Sequence, residues 1–172
     1  MFKSRKGVLI KSIAYGVLAV LLLVLQSSRT TGVSLWSSSA NFMPFLIAAL
    51  ALYENPYMAG GIGFFAGLLL SVHSLTIEGL SSFWLAIFGV AYAYLAEMFF
   101  RNNIVLSFLG GVGCLAVGEL CKYVFYYLLV HNVGFGAGML TVLGSIILSV
   151  PFGIVVCYIV RWISRKFSED ER

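Results

Sequence analysis

The chain has 172 residues, 60% of them hydrophobic and 10% charged, with a mean hydropathy of +0.98. Soluble domains are roughly 45–50% apolar and about 25% charged, and disordered chains are poorer still in apolar residues, so both classes are excluded. The length suits a single transmembrane domain, residues 1–172, of about six crossings at about 20 residues each, which leaves no room for a soluble catalytic or ATP-binding domain.

In chain order, the first apolar run goes from Val8 to Gln26 behind a basic start (Lys3, Arg5, Lys6, with Lys11 just inside) and reads as an uncleaved first helix. Residues 27–40 are rich in serine and read as a polar loop. Asn41 is placed to cap a second helix through Tyr53, with Pro44 in its first turn. Glu54-Asn55-Pro56-Tyr57 reads as a tight turn with a solvated carboxylate, and a third segment runs from Met58 to Val72. The second and third segments are short for full crossings, so a thinned, tilted or re-entrant arrangement is expected for them. A fourth run covers Leu80 to Phe100 and a fifth Ile104 to Val130. The glycine-rich stretch Gly134 to Gly138 joins the fifth to a sixth run, Met139 to Trp162, which contains Pro151.

Six crossings put both termini on one side. With that side cytoplasmic, it holds Lys3, Arg5, Lys6, Lys11, Arg101, Arg161, Arg165, Lys166 and Arg172; Arg29 alone lies outside and Lys122 falls within a helix. The positive-inside bias therefore favours this topology, and it explains the net charge of +4 without nucleic acid. Basic ends also contact anionic lipid headgroups.

Small residues recur at every fourth position: Ala59, Gly63, Gly67 and Ser71 in the third segment, Gly110, Cys114 and Gly118 in the fifth, and Ser145, Ser149, Gly153 and Cys157 in the sixth. Such spacing makes a flat helix face on which another helix can lie. Internal packing and a partner's helix both fit that face. The cysteines, Cys114, Cys121 and Cys157, read as small packing residues.

Glu97 and Arg101, four apart at a helix end, read as a surface ion pair. Glu119 and Lys122 lie deeper, at a spacing that lets them pair, with Tyr123 and Tyr126 extending the same face. Charge at membrane depth marks either a structural polar knot or a ligand or partner contact. No catalytic or cofactor site is expected. Asp170 is the first aspartate in the chain, His73 and His131 fall in expected loops, and neither HExxH, GxSxG nor a P-loop occurs.

Taken together, these features resemble the bacterial rod shape-determining MreD family. The resemblance runs over nearly the whole chain: Leu25-Gln26-Ser27-Ser28 closing the first helix, Pro44 heading a short apolar segment, Ala59 to Leu70, Gly79-Leu80 opening a helix, Ala91 to Ala96, the basic turn at Arg101, and Glu119 followed by tyrosines. Phe45 and Ser71 depart from it, standing where that family often carries acidic residues. The resemblance implies a non-catalytic membrane scaffold of the cell-elongation machinery in the bacterial cytoplasmic membrane. Its expected partners are the single-span protein MreC, RodA with a class B penicillin-binding protein, and MreB at the cytoplasmic face. A small-residue groove would accept the MreC helix, and Gly67→Leu would then release MreC without unfolding the bundle. A bundle of this size is also similar to the substrate-binding S component of energy-coupling-factor vitamin transporters. In that alternative Glu119, Lys122, Tyr123 and Tyr126 would line an outward vitamin pocket.

Overall fold

The computed structural model describes residues 5–27, 40–73, 80–99, 103–124 and 135–169, and among these every regular element is helical. In chain order the helices are α1 (Arg5–Ser27), α2 (Met43–Tyr53), α3 (Pro56–His73), α4 (Leu80–Phe99), α5 (Ile104–Lys122) and α6 (Phe135–Glu169). Each corresponds to one of the apolar runs, but several ends move. The N-cap position of α2 is Phe42 rather than Asn41, and Pro44 stands in the first turn. Asn41 still serves that end, because its Oδ1 accepts from Met43 N at 3.3 Å.

Glu54 is extended (φ −122°, ψ 173°) and closes α2 by donating its N–H to the Leu50 carbonyl at 2.9 Å. Pro56 then opens α3 two residues earlier than Met58, since a proline at a helix start gives up only an N–H that has no intrahelical partner there. The Asn55 carbonyl accepts the Met58 and Ala59 N–H groups, both at 3.0 Å. Asn103 caps α5 with its side chain, which accepts from Val105 N at 3.1 Å. The expected joint at Gly134 to Gly138 is largely helix instead, because α6 starts at Phe135 and continues through Pro151 to Glu169. His73, read as a loop residue, is the last residue of α3.

Short, apolar α2 is the axis of the molecule. It is buried from Met43 through Leu52, and α3, α4, α5 and α6 all pack on it, while α1 lies outside, mainly on α3. Surrounded on all sides, such a helix has no use for a polar face, and its sequence MPFLIAALALY supplies none before Tyr53. Eleven residues rise only about 16 Å, roughly half a bilayer core. The outer helices instead turn large apolar side chains outward: Ile13, Val17 and Leu21 on α1, Phe65 on α3, Ile87 and Leu95 on α4, Leu109 on α5, and Ile147, Ile154 and Tyr158 on α6.

Among the described residues, Ile104–Lys122 and Gly138–Lys166 are long and apolar enough to cross a membrane, and four shorter apolar helices accompany them. The described residues thus form an all-helical bundle in which two helices have membrane-crossing length.

Candidate functional site

The small-residue stripes are filled from within the chain. A β-carbon added at Gly63 would stand 2.7 Å from the Leu85 carbonyl oxygen, and one at Gly89 would stand 2.9 Å from the Ala59 carbonyl oxygen. Helices α3 and α4 therefore meet backbone to backbone over Ala59 and Gly63. Farther along, Gly67 is buried and its carbonyl accepts from the buried Ser71 Oγ at 2.9 Å.

On α6, Gly153 leaves room for the Phe45 ring of α2, and Gly111 of α5 makes room for the same ring. Ser149 is fully buried; its Oγ accepts the Asn41 N–H at 2.8 Å and donates to the Ser145 carbonyl at 2.7 Å. The Ser107 hydroxyl meets Cys157 Sγ at 3.4 Å and links α5 to α6. These stripes seat α2 and α4, so a groove open to an MreC helix is not present at Ala59, Gly63, Ser149 or Gly153. Gly67, at which Gly67→Leu was expected to leave the bundle intact, is interior as well.

The stripe on α5 faces aromatic rings. Trp84, Phe88 and Tyr92 stack along α4, with the Phe88 and Tyr92 centroids 5.2 Å apart at 12° and those of Trp84 and Phe88 6.5 Å apart. Gly110 makes room for Tyr92 and Gly118 for Trp84. Tyr92 OH donates to the Leu106 carbonyl at 2.7 Å, and Trp84 Nε1 to the Cys114 carbonyl at 3.4 Å. Sequence reading singled out the glycines but missed the rings, whose i, i+4, i+8 spacing was the available signal.

Glu54 is the main correction at this scale. Its side chain is 5% exposed and that of Lys11 8%, with Lys11 Nζ 3.9 Å from the carboxylate. Tyr15 OH donates to Glu54 Oε1 at 2.9 Å, and Ser164 of α6 reaches the same tyrosine. Lys11 and Tyr15 are one turn apart on α1, so both face the α2–α3 junction. The start of α1 and the last turns of α6 consequently lie at one end of the bundle, where Arg161 and Arg165 also act on Tyr53.

At the opposite end α2 begins lower than its neighbours, leaving a cleft above Asn41 and Pro44 bounded by Leu70 of α3, Trp84 and Leu85 of α4, and α5 from Cys114 to Lys122. The cavity volume is about 80 Å³. Glu119 and Lys122 line it as an ion pair with Nζ and Oε1 2.8 Å apart, their side chains 15% and 25% exposed. Tyr123 is buried behind them, and its ring occupies the space that Gly138 of α6 leaves. Tyr126 and Arg101 lie outside the described residues, and Glu97 is exposed. Among the described residues no group of three His, Cys, Asp or Glu side chains could hold a metal ion.

Compared with family models, with curated proteins and with solved structures, the chain finds no match in any of the three.

Proposed function

We propose that the chain is a non-catalytic, multi-pass subunit of the bacterial cell-elongation complex, holding an MreC-like single-span protein and the RodA–class B penicillin-binding protein pair in the cytoplasmic membrane, with its basic end toward MreB. The observation that carries this reading is how the buried and half-buried polar groups are used. Lys11 with Glu54 and Tyr15, Asn41 with Ser149, Ser107 with Cys157, and Tyr92 with the Leu106 carbonyl all join helices of this chain to one another. Buried polar contacts spent on rigidity, beneath an apolar perimeter, suit a bundle that serves as a platform for other membrane helices. The partner helix then binds an outward apolar face, since the small-residue faces over Ala59, Gly63 and Gly153 are occupied. Six crossings with both termini cytoplasmic belong to the same proposal.

The test is brief crosslinking in native membranes, gentle purification of the tagged chain and mass spectrometry of what accompanies it. Stoichiometric recovery of the MreC-like protein with the cell-wall synthases is the expected result. Recovery of an ABC-type ATPase pair with a coupling subunit would overturn it in favour of a transporter S component.

A further inference from the structure

The cleft above the start of α2 exists because α2 is only eleven residues long while α5 and α6 continue past it. Its floor and its rim differ in chemistry. At the floor the Asn41, Phe42 and Met43 N–H groups already have acceptors in Ser149 Oγ, Gln26 Oε1 and Asn41 Oδ1, and residue 44 is a proline with no N–H to give. The helix start therefore offers little to an anion, and the floor around Leu85 and Leu115, both under 3% exposed, is apolar. At the rim stand Glu119 and Lys122, a neutral pair whose atoms remain partly exposed. The half-buried rim residues Trp84 and Gly118 have the outward-facing Phe83 and Val117 beside them, exposed by 65% and 44%, so the mouth adjoins the apolar perimeter.

We propose that this cleft binds one bilayer phospholipid with a primary-ammonium zwitterionic headgroup, the end of an acyl chain in the floor and the headgroup across Glu119 and Lys122. Size and lining select the chain: a cavity of about 80 Å³ over the buried Leu85 and Leu115 suits the slender end of an acyl chain and offers it no polar partner at the floor. Charge selects the head. Phosphate meets Lys122 and ammonium meets Glu119, so both members of the pair gain a partner, whereas a net anionic headgroup is attracted by Lys122 and repelled by Glu119.

The experiment uses the full chain in nanodiscs of equal phosphatidylethanolamine and phosphatidylglycerol, released gently for native mass spectrometry. One retained phosphatidylethanolamine per chain is expected. The double variant E119Q/K122M is expected to retain it about tenfold less, the effect of losing charge-assisted hydrogen bonds to the headgroup. The reversed pair, E119K/K122E, is expected to keep it. On the unaltered chain, phosphatidylethanolamine carrying an acyl-chain diazirine is expected to crosslink to Leu115 or Leu85, a readout that needs no variant to fold. Equal retention of both lipids, no retained lipid, unchanged retention by the double variant, or crosslinks confined to the outward faces of α1 and α6 would each overturn the proposal.

Discussion

Lys11 and Glu54 are both more than nine-tenths buried, and their separation of 3.9 Å is long for a charge-assisted hydrogen bond. Coulomb attraction without a short bond repays only part of the desolvation of two charges, and Tyr15 supplies the short bond that the carboxylate otherwise lacks. Glu54→Ala is therefore expected to destabilise the chain by about 3 kcal/mol, because it leaves a buried ammonium without its counter-charge. Replacing both members, as in K11M/E54M, is expected to cost less than Glu54→Ala alone, since no orphan charge remains. Thermal unfolding in mild detergent checks this; a double variant as unstable as the sum of its two single changes would show that the charges are not coupled. The sequence gives little warning of the arrangement. A glutamate before Asn55-Pro56 has the local features of a solvated turn, and only the three-dimensional return of α1 to that turn buries it. Glu119 and Lys122, three residues apart on one helix, were legible because their pairing is local.

At the scale of elements, glycines divide into those that seat a neighbouring backbone and those that face open space. Gly63 belongs to the first kind, with the Leu85 carbonyl 2.7 Å from where its β-carbon would be; Gly61 and Gly113 belong to the second, with no heavy atom within 4 Å. Gly63→Val is expected to push α3 off α4 at a cost of about 1–3 kcal/mol, the usual range for overpacking. Gly61→Ala and Gly113→Ala are expected to be neutral or to stabilise by about 0.5–1 kcal/mol through helix propensity. The order of midpoint temperatures among these three variants checks the assignment, and a stable Gly63→Val would remove the tight α3–α4 contact from the account. Sequence periodicity located the helices and their small faces because both are repeats along one chain. It could not say that α4 covers the face of α3, or that Phe45 fills the space between Gly111 and Gly153, because those are choices between helices. The start of α6 was misplaced because glycines at 134–138, individually helix-weakening, lie in a segment whose Gly138 receives the Tyr123 ring.

For the whole molecule, the direction of each helix follows from contacts at the two ends. Lys11 in the first turns of α1 and Tyr15 one turn on, midway along it, both meet Glu54 beyond the end of α2, and Ser164 near the end of α6 acts on the same tyrosine. Gln26 at the other end of α1 meets Phe42, where α2 begins. The start of α1 and the end of α6 thus share one end, which an even number of crossings requires. That end carries Lys11, Arg161, Arg165 and Lys166, whereas Lys122 at the far end is neutralised by Glu119. Charge and geometry then make one prediction, because basic flanks are retained on the cytoplasmic side. A fluorescent protein fused after Arg172 is expected to fluoresce, and alkaline phosphatase fused there is expected to be inactive. The same phosphatase inserted after Asn132, between α5 and α6, is expected to be active. If the fusion after Arg172 were instead active as a phosphatase, while the bundle kept its Tyr15 and Ser164 contact, both ends would be external. The basic end could then no longer face MreB, and the scaffold reading would lose its cytoplasmic connection even with the fold unchanged.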